Sequence, residues 1–446
     1  MHYLFTTLPT NDLGLLARAL PVARELARAG QRVTFSHPAP APRRMIADAG
    51  FANVDQHHPL FDMVAGGDPS LRGLARLLAD RSWPRHGLSR RAFLARLVPA
   101  LPWRSAPPTA DVEGMDHAAA QMGLLNRGFV RASCAAMAEL IDRERPDAVV
   151  DFWNPFAVMA ARWRGVPVVT VIQADAHPSS QGFTWWRPAA PAAYPSPVPA
   201  VNDVLADLGL PAVRTVRDLS VGDRTLVVGT PETDPLPDGA DVVYVGALLW
   251  EPEGAHLPEP VAALGRERPL AWLYAGNPRY GRRPGPLDSQ VVLEAGLAAL
   301  GGRDLDVVVT TGHHDLPDGL GPLPPGVHHE RFVPGLAMAR HCDLMIHHGG
   351  YGSCQTALVA GTPSVIVPTY SERESNARRM EAAGAAARVP VTGTARAKRV
   401  DPDHLGRAVD HVLATPAYRQ RAGELRRRLD ELGGAPHAAA RIREVA

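Results

Sequence analysis

Lysine is almost missing from this 446-residue chain: of 47 basic residues, only Lys398 is not arginine. Cysteine is scarce too, with Cys134, Cys342 and Cys354 alone. Three thiols so widely spaced build neither a disulfide framework nor a thiolate metal cluster. No run of about 18 apolar residues occurs, which excludes a membrane-spanning helix. Net charge is nearly absent, since 47 Lys+Arg balance 46 Asp+Glu. No whole-molecule field therefore draws the chain to nucleic acid or an anionic membrane, and neither is expected as a partner. The opening MHYLFTTLPTND has no basic stretch and carries Asp12, so it does not read as a secretory signal. The expectation is a cytoplasmic protein.

Apolar residues are not lacking. They make up 46 % of the chain, enough for a core in each of two or three domains at about 150 residues per domain. Strand and helix periods alternate from the start. His2–Thr7 reads as a strand, the apolar positions 13, 16, 20, 23 and 27 mark a helical face, Gly30 ends it, and Arg32–Ser36 is the next strand. Strand, helix and strand within about 35 residues is a βαβ unit and predicts a parallel sheet. The Arg-, Pro- and Trp-rich stretch 52–115 reads as an excursion on the sheet rim. A helix over 117–144 follows, then strands at 146–151 and 167–172, a Pro-rich loop over 174–200, and short strands at 225–228 and 241–245.

Residues 247–268 have linker composition. A second α/β half then runs through strands at 270–275, 306–310, 328–331, 344–347 and 364–367. The expected division is 1–246, a linker 247–268, 269–415, and a C-terminal segment 416–446. Its helix at 416–432 is expected to cross back to the first half. Two doubly wound halves place a ligand at the carboxyl ends of their strands.

The chemistry concentrates in HCDLMIHHGGYGSCQTALVAGTPSVIVPTYSERESNARRMEAAG, residues 341–384. A buried strand runs into His347-His348-Gly349-Gly350-Tyr351-Gly352-Ser353, and a helix opens at once. Glycines permit close backbone approach, and a helix N-terminus favours an anion. An ordinary strand-helix turn would look the same from the glycines alone.

The neighbouring motifs add more. His348–Ser353, Gly361-Thr362-Pro363, Pro368, Glu372-Arg373 and Asn376 resemble, in order, the signature of the family 1 nucleotide-sugar glycosyltransferases, which have the GT-B fold: two Rossmann-like domains facing a cleft. Leu270–Pro278, Leu305–Gly312 and Arg331–Pro334 are similar to that family's upstream strands and loops. The likeness covers most of residues 225–415; the N-terminal half matches in outline.

The resemblance implies inverting transfer of a hexose from a dTDP- or UDP-sugar to a small natural-product acceptor, aromatic or polyketide-like, in antibiotic-type secondary metabolism. His348, Gly349, Gly350, Tyr351, Gly352 and Ser353 would hold the diphosphate, with Gly276 and Asn277 facing them. Phe332 would stack on the base and Val333 would bond it through its backbone. Glu372 and Arg373 would contact the sugar. No cofactor beyond the donor itself is implied, and no metal. The histidine pairs 57-58, 313-314, 328-329 and 347-348 are poor chelates, because neighbours on a strand point to opposite faces. A homodimer is left open.

Three positions depart from the family's pattern. Thr356 stands where a ribose-gripping Glu is common, which favours a 2′-deoxy donor, dTDP over UDP. Arg373 replaces an amide; it would pair with a carboxylated sugar or a phosphate, or else with Glu374 or Glu381. Leu15 occupies the place of the general-base histidine, and leucine cannot accept a proton. Asp12 is the nearest substitute, as base or as helix cap. On the acceptor side, Asn154, Asp175, His177 and Trp185 follow strand ends, and each also reads as a loop residue. Asp116-His117 lies where the family keeps an acidic partner for its base. The loss of the histidine leaves two rival readings: a nucleotide-sugar epimerase, or a non-catalytic nucleotide-sugar-binding subunit.

Overall fold

The computed structural model describes all residues except 12, 55–56, 66–70, 80–88, 102, 105–113, 185–192, 252–253, 266, 277–287, 318–319, 395–396 and 446. The calls on Asp12, Asn277 and Trp185 therefore lie outside the described residues.

Seven parallel strands form the first sheet: β1 His2–Thr7, β2 Arg32–Ser36, β3 Ala52–Asn53, β4 Ala148–Phe152, β5 Val168–Ile172, β6 Arg224–Val228 and β7 Val243–Gly246. Their spatial order is β3-β2-β1-β4-β5-β6-β7. Six more form the second: β8 Leu270–Tyr274, β9 Asp306–Thr310, β10 Val327–Glu330, β11 Leu344–His347, β12 Ser364–Ile366 and β13 Ala386–Arg388. Their order is β10-β9-β8-β11-β12-β13. All these pairings are parallel. This is the two-sheet α/β architecture expected from the sequence.

Parallel strands are covered by helices on both faces, so they read as apolar runs. In β1 the side chains alternate as the pleat requires: Leu4 enters one core layer, Tyr3 and Phe5 the other. The helix Gly14–Arg28 buries Leu16, Ala19, Leu20, Ala23 and Leu26 against that second layer. Each fully buried leucine contributes roughly 1.5–3 kcal/mol.

The order of strands reverses between β1 and β4 in the first sheet and between β8 and β11 in the second. Crossovers leave these two strand pairs in opposite directions, which opens a crevice at their carboxyl ends.

Several elements differ from the sequence reading. The single helix expected over 117–144 is broken: Met115–Ala119 passes through a π turn, Gly123 takes φ +96°, and a new helix runs Arg127–Glu144. Gly123 lies against Trp103 and Phe129, so packing outweighs helical continuity there. The helices Pro40–Asp48 and Val198–Asp207, strand β13 and the hairpin Thr392–Thr394/Ala397–Arg399 lack a strong apolar period and escaped notice. The first helix begins at Gly14 with Leu13 at its N-cap position, and the Leu13 side chain makes no capping bond.

The C-terminal crossing is made by a second helix. Pro416–Glu431 packs Ala422, Leu425 and Leu429 on Cys354 and Leu358 of the C-terminal half. A left-handed pair at Gly433-Gly434 then redirects the chain. Gly434–Arg443 lays Ala438, Ala439 and Ile442 into the core beneath the first sheet.

Candidate active site

Strands β8 and β11 end side by side at the reversal point of the second sheet, with Tyr274 opposite His347. Gly276 leaves β8 and His348 leaves β11. Gly276 takes φ +92°, and a Cβ there would lie 3.2 Å from the His348 ring. A Cβ on Gly350 would lie 2.6 Å from its Nε2. The imidazole is therefore clasped between two glycines, and any larger residue at either position displaces it.

His348 is buried, and its Nδ1 has no hydrogen-bond partner. Burial first, then the Arg373 guanidinium and His347, push its pKa well below the ordinary value, so the ring is neutral. His347 points elsewhere: its Nδ1 accepts from the Gly349 amide at 3.2 Å and stiffens the turn. Burial lowers its pKa to about 3. The helix Tyr351–Ala360 begins immediately after Gly350, its N-cap, with no side chain capping it. Its first amides and a neutral imidazole thus share one corner, an arrangement suited to an anion.

The helix Ser371–Ala382 closes the same corner. Asn376 donates through Nδ2 to the Gly349 carbonyl (2.9 Å) and to Glu372 Oε1 (2.7 Å). Burial pushes the Glu372 carboxyl up, against the opposing pull of Asn376 and Arg373. Arg373 is buried, donates to the Thr369 hydroxyl, and lies 4.5 Å over the Tyr370 ring. Its alternative partners are engaged elsewhere: Glu374 with Arg378 and Arg388, Glu381 with Arg388. Gly276, His348–Ser353, Glu372 and Arg373 are therefore brought together.

Phe332 and Val333 have other neighbours. Phe332 is 47 % exposed and stacks on His313 at 4.3 Å. Val333 is buried with Trp272 and Met338. Thr356 donates its hydroxyl back to the Gly352 carbonyl at 2.9 Å, a helix-surface bond.

The Tyr351 ring turns away from the corner. Only its backbone belongs to the anion corner. Its ring enters the core under the first sheet, its hydroxyl donates to the Val228 carbonyl at 2.7 Å, and Arg18 lies 4.7 Å over the ring. An aromatic after two glycines reads in one dimension as part of the loop; only the fold shows it anchoring the opposite half.

On the N-terminal side, Asn154 caps the helix Pro155–Arg164, accepting from Ala157 N, and its buried Nδ2 has no partner. Trp153, beside it, has φ +65° and a buried Nε1 with no partner. Thr7, opposite Phe152 across β1 and β4, also has an unpartnered hydroxyl. Unsatisfied buried polar atoms are costly and cluster at functional sites. His177 is buried and its Nδ1 accepts from Ser179 N. Asp116 accepts from Val216 N at 2.8 Å, and His117 stacks on Tyr194 at 4.2 Å. Asp175 turns to the other half of the molecule, where its Oδ1 meets Arg379 at 2.5 Å.

Sequence reasoning missed Asp151. It ends β4, is buried, and accepts from the Thr6 hydroxyl (2.6 Å) and the Asn154 amide (3.0 and 2.9 Å). Burial outweighs these donors and raises its pKa from 3.8 to about 7. The fold favours the protonated acid, so this contribution to stability is full below the unfolded value and is lost as pH rises through about 7. Thermal scans across that window should show wild-type stability falling with pH relative to Asp151→Asn, with a slope of at most ~1.4 kcal/mol per pH unit. Parallel curves would contradict the assignment.

With this geometry in place, the comparisons with known proteins carry weight. Residues 294–438 match the family described as "Erythromycin biosynthesis protein CIII-like, C-terminal domain". A 4'-demethylrebeccamycin synthase of Lentzea aerocolonigenes is 35% identical over 139 residues, 31% of each chain. A 3-alpha-mycarosylerythronolide B desosaminyl transferase of Saccharopolyspora erythraea is 34% identical over 137 residues, again 31% of each. The chain thus matches about a third of the length of these curated relatives. The solved structure of the glycosyltransferase VinC in complex with DTDP aligns with 100% of this chain and 99% of its own, at TM-score 0.64 and 20% identity. The fold is GT-B. The matched stretch 294–438 includes His348, the turn after it and the helix Ser371–Ala382.

Proposed function

We propose that this protein transfers a hexose from a nucleoside diphosphate to a small natural-product acceptor. The observation that carries this reading is the corner at the β8/β11 reversal: His348 clasped by Gly276 and Gly350, facing a helix N-terminus. The diphosphate binds there, the sugar lies toward Glu372 and Arg373, and the base stacks on Phe332. The preferred donor is a dTDP-sugar, because Thr356 offers no carboxylate to a ribose diol; the neighbour solved with DTDP is in keeping with this.

The acceptor enters at the β1/β4 reversal, where Thr7, Trp153 and Asn154 have polar atoms to spare. Its nucleophilic oxygen attacks the anomeric carbon, the bond to the β-phosphate breaks, and configuration inverts. The acceptor proton passes to Asp12, and helix amides and His348 take up the charge on the departing diphosphate. These groups do the work without a metal. The acceptor is aromatic or polyketide-like, in line with the natural-product names of the relatives.

The test is incubation with dTDP- and UDP-hexoses and a panel of aromatic and polyketide acceptors, read by mass spectrometry. A mass gain of one hexose is expected, and Asp12→Asn should cut turnover at least about tenfold while leaving nucleotide affinity intact. Unchanged turnover removes Asp12 as base. Nucleotide binding with no transfer to any acceptor favours a binding subunit instead, the reading that Leu15 supports.

A further inference from the structure

The helix Ser371–Ala382 touches both halves of the molecule. Glu372 and Asn376 face the donor turn. Ser375 and Arg379, one turn apart on an adjoining face, meet the segment that follows β5 in the N-terminal half. The Thr184 amide donates to Ser375 Oγ at 2.5 Å. The Arg379 guanidinium reaches Asp175 at 2.5 Å and Asp234 at 3.9 Å. All three charged groups are largely buried. Burial opposes the Arg379 charge, but Asp175 and then Asp234 hold its pKa above the ordinary value.

Arg379 also points back to the donor. Its second arm donates to Asn376 Oδ1 at 2.6 Å, and Asn376 in turn holds the Gly349 carbonyl. An unbroken chain of side chains therefore runs Gly349, Asn376, Arg379, Asp175. It joins the phosphate turn of one half to the acceptor-side segment 173–184 of the other. Lysine could not replace Arg379 here, because only a planar fork reaches two acceptors at fixed angles. A surface ion pair could be dropped at little cost. This one is buried, so breaking it strands two carboxylates.

We infer that Arg379 is a positioning residue that couples the two ligand sites: a nucleotide seated against Gly349–Ser353 orders segment 173–184 through Asn376 and Asp175, before any acceptor is present. The inference rests on the donor reading above. Fixing the Gly349 peptide fixes Asn376, and each further link loses less freedom on ordering, which is coupling by shared order.

Hydrogen exchange of the full chain with and without dTDP tests this. In the wild type, dTDP should slow exchange severalfold both at 349–353 and at 173–184. In Arg379→Met, protection at 349–353 should persist and that at 173–184 should disappear. Asp175→Asn, nearly the same shape, should behave likewise and serves if Arg379→Met does not fold. Protection at 349–353 alone in the wild type overturns the coupling and leaves the donor site standing. Protection of 173–184 that survives in the variants also overturns it. No protection anywhere by dTDP or UDP removes the donor site and the coupling together.

Discussion

On the proposed function, His348→Ala should lower sugar transfer by about 10²–10³-fold, the usual effect of deleting one donor aimed at developing negative charge. The side chain is buried and lies edge-on to Tyr274 of β8, so the variant also leaves a hole between Gly276 and Gly350. The pH behaviour separates the electrostatic role from mere packing. The free ring is neutral because burial, Arg373 and His347 disfavour its charge. A diphosphate placed against it favours the charged form. Nucleotide binding by the wild type should therefore take up a proton, seen as a binding enthalpy that varies with the ionisation enthalpy of the buffer. Binding should also tighten as pH falls. Both effects should vanish in His348→Ala. An alanine variant that transfers sugar at the wild-type rate would contradict the assignment.

Tyr351→Ala should be the most damaging substitution for stability. The ring is 3 % exposed, and it is the one residue of its helix that enters the core under the first sheet. Truncating a buried aromatic costs about 3–5 kcal/mol. For domains of this size that corresponds to a fall in Tm of roughly 10 °C. Tyr351→Phe keeps the ring and loses the bond to the Val228 carbonyl, costing about 1–3 kcal/mol because a buried acceptor is left unpaired. Calorimetric scans of the two variants separate packing from hydrogen bonding. A drop of under about 2 °C in the alanine variant would show that the halves are held together elsewhere.

The parts legible in the sequence share one property: they are local. The βαβ rhythm, the paired sheets and the glycine-rich turn after β11 are each written in a few consecutive residues. Gly276 and His348 could be placed at one corner because both end strands flanking the reversal. What escaped was side-chain direction and long-range pairing. Tyr351 lies between two glycines of the turn, yet its ring serves the opposite half. Asp175 follows a strand end as an acceptor-side residue should, yet its partner is 204 positions away. Nothing in a one-dimensional pattern joins 175 to 379. Asp151 did leave a trace, a carboxylate closing the run Pro146–Asp151, but its surroundings depend on Thr6 meeting it across β1 and β4 and on the Asn154 amide of the following turn. The break at Gly123 was equally hidden, since Trp103 and Phe129 decide it from outside the helix.

The central claim is that the corner formed by Gly276, His348 and the Tyr351–Ala360 helix binds a nucleoside diphosphate. Calorimetric titration of the full chain with dTDP tests it most directly. The account predicts saturable binding of one dTDP per chain, tighter than UDP and accompanied by proton uptake. Absence of binding by both nucleotides would contradict it.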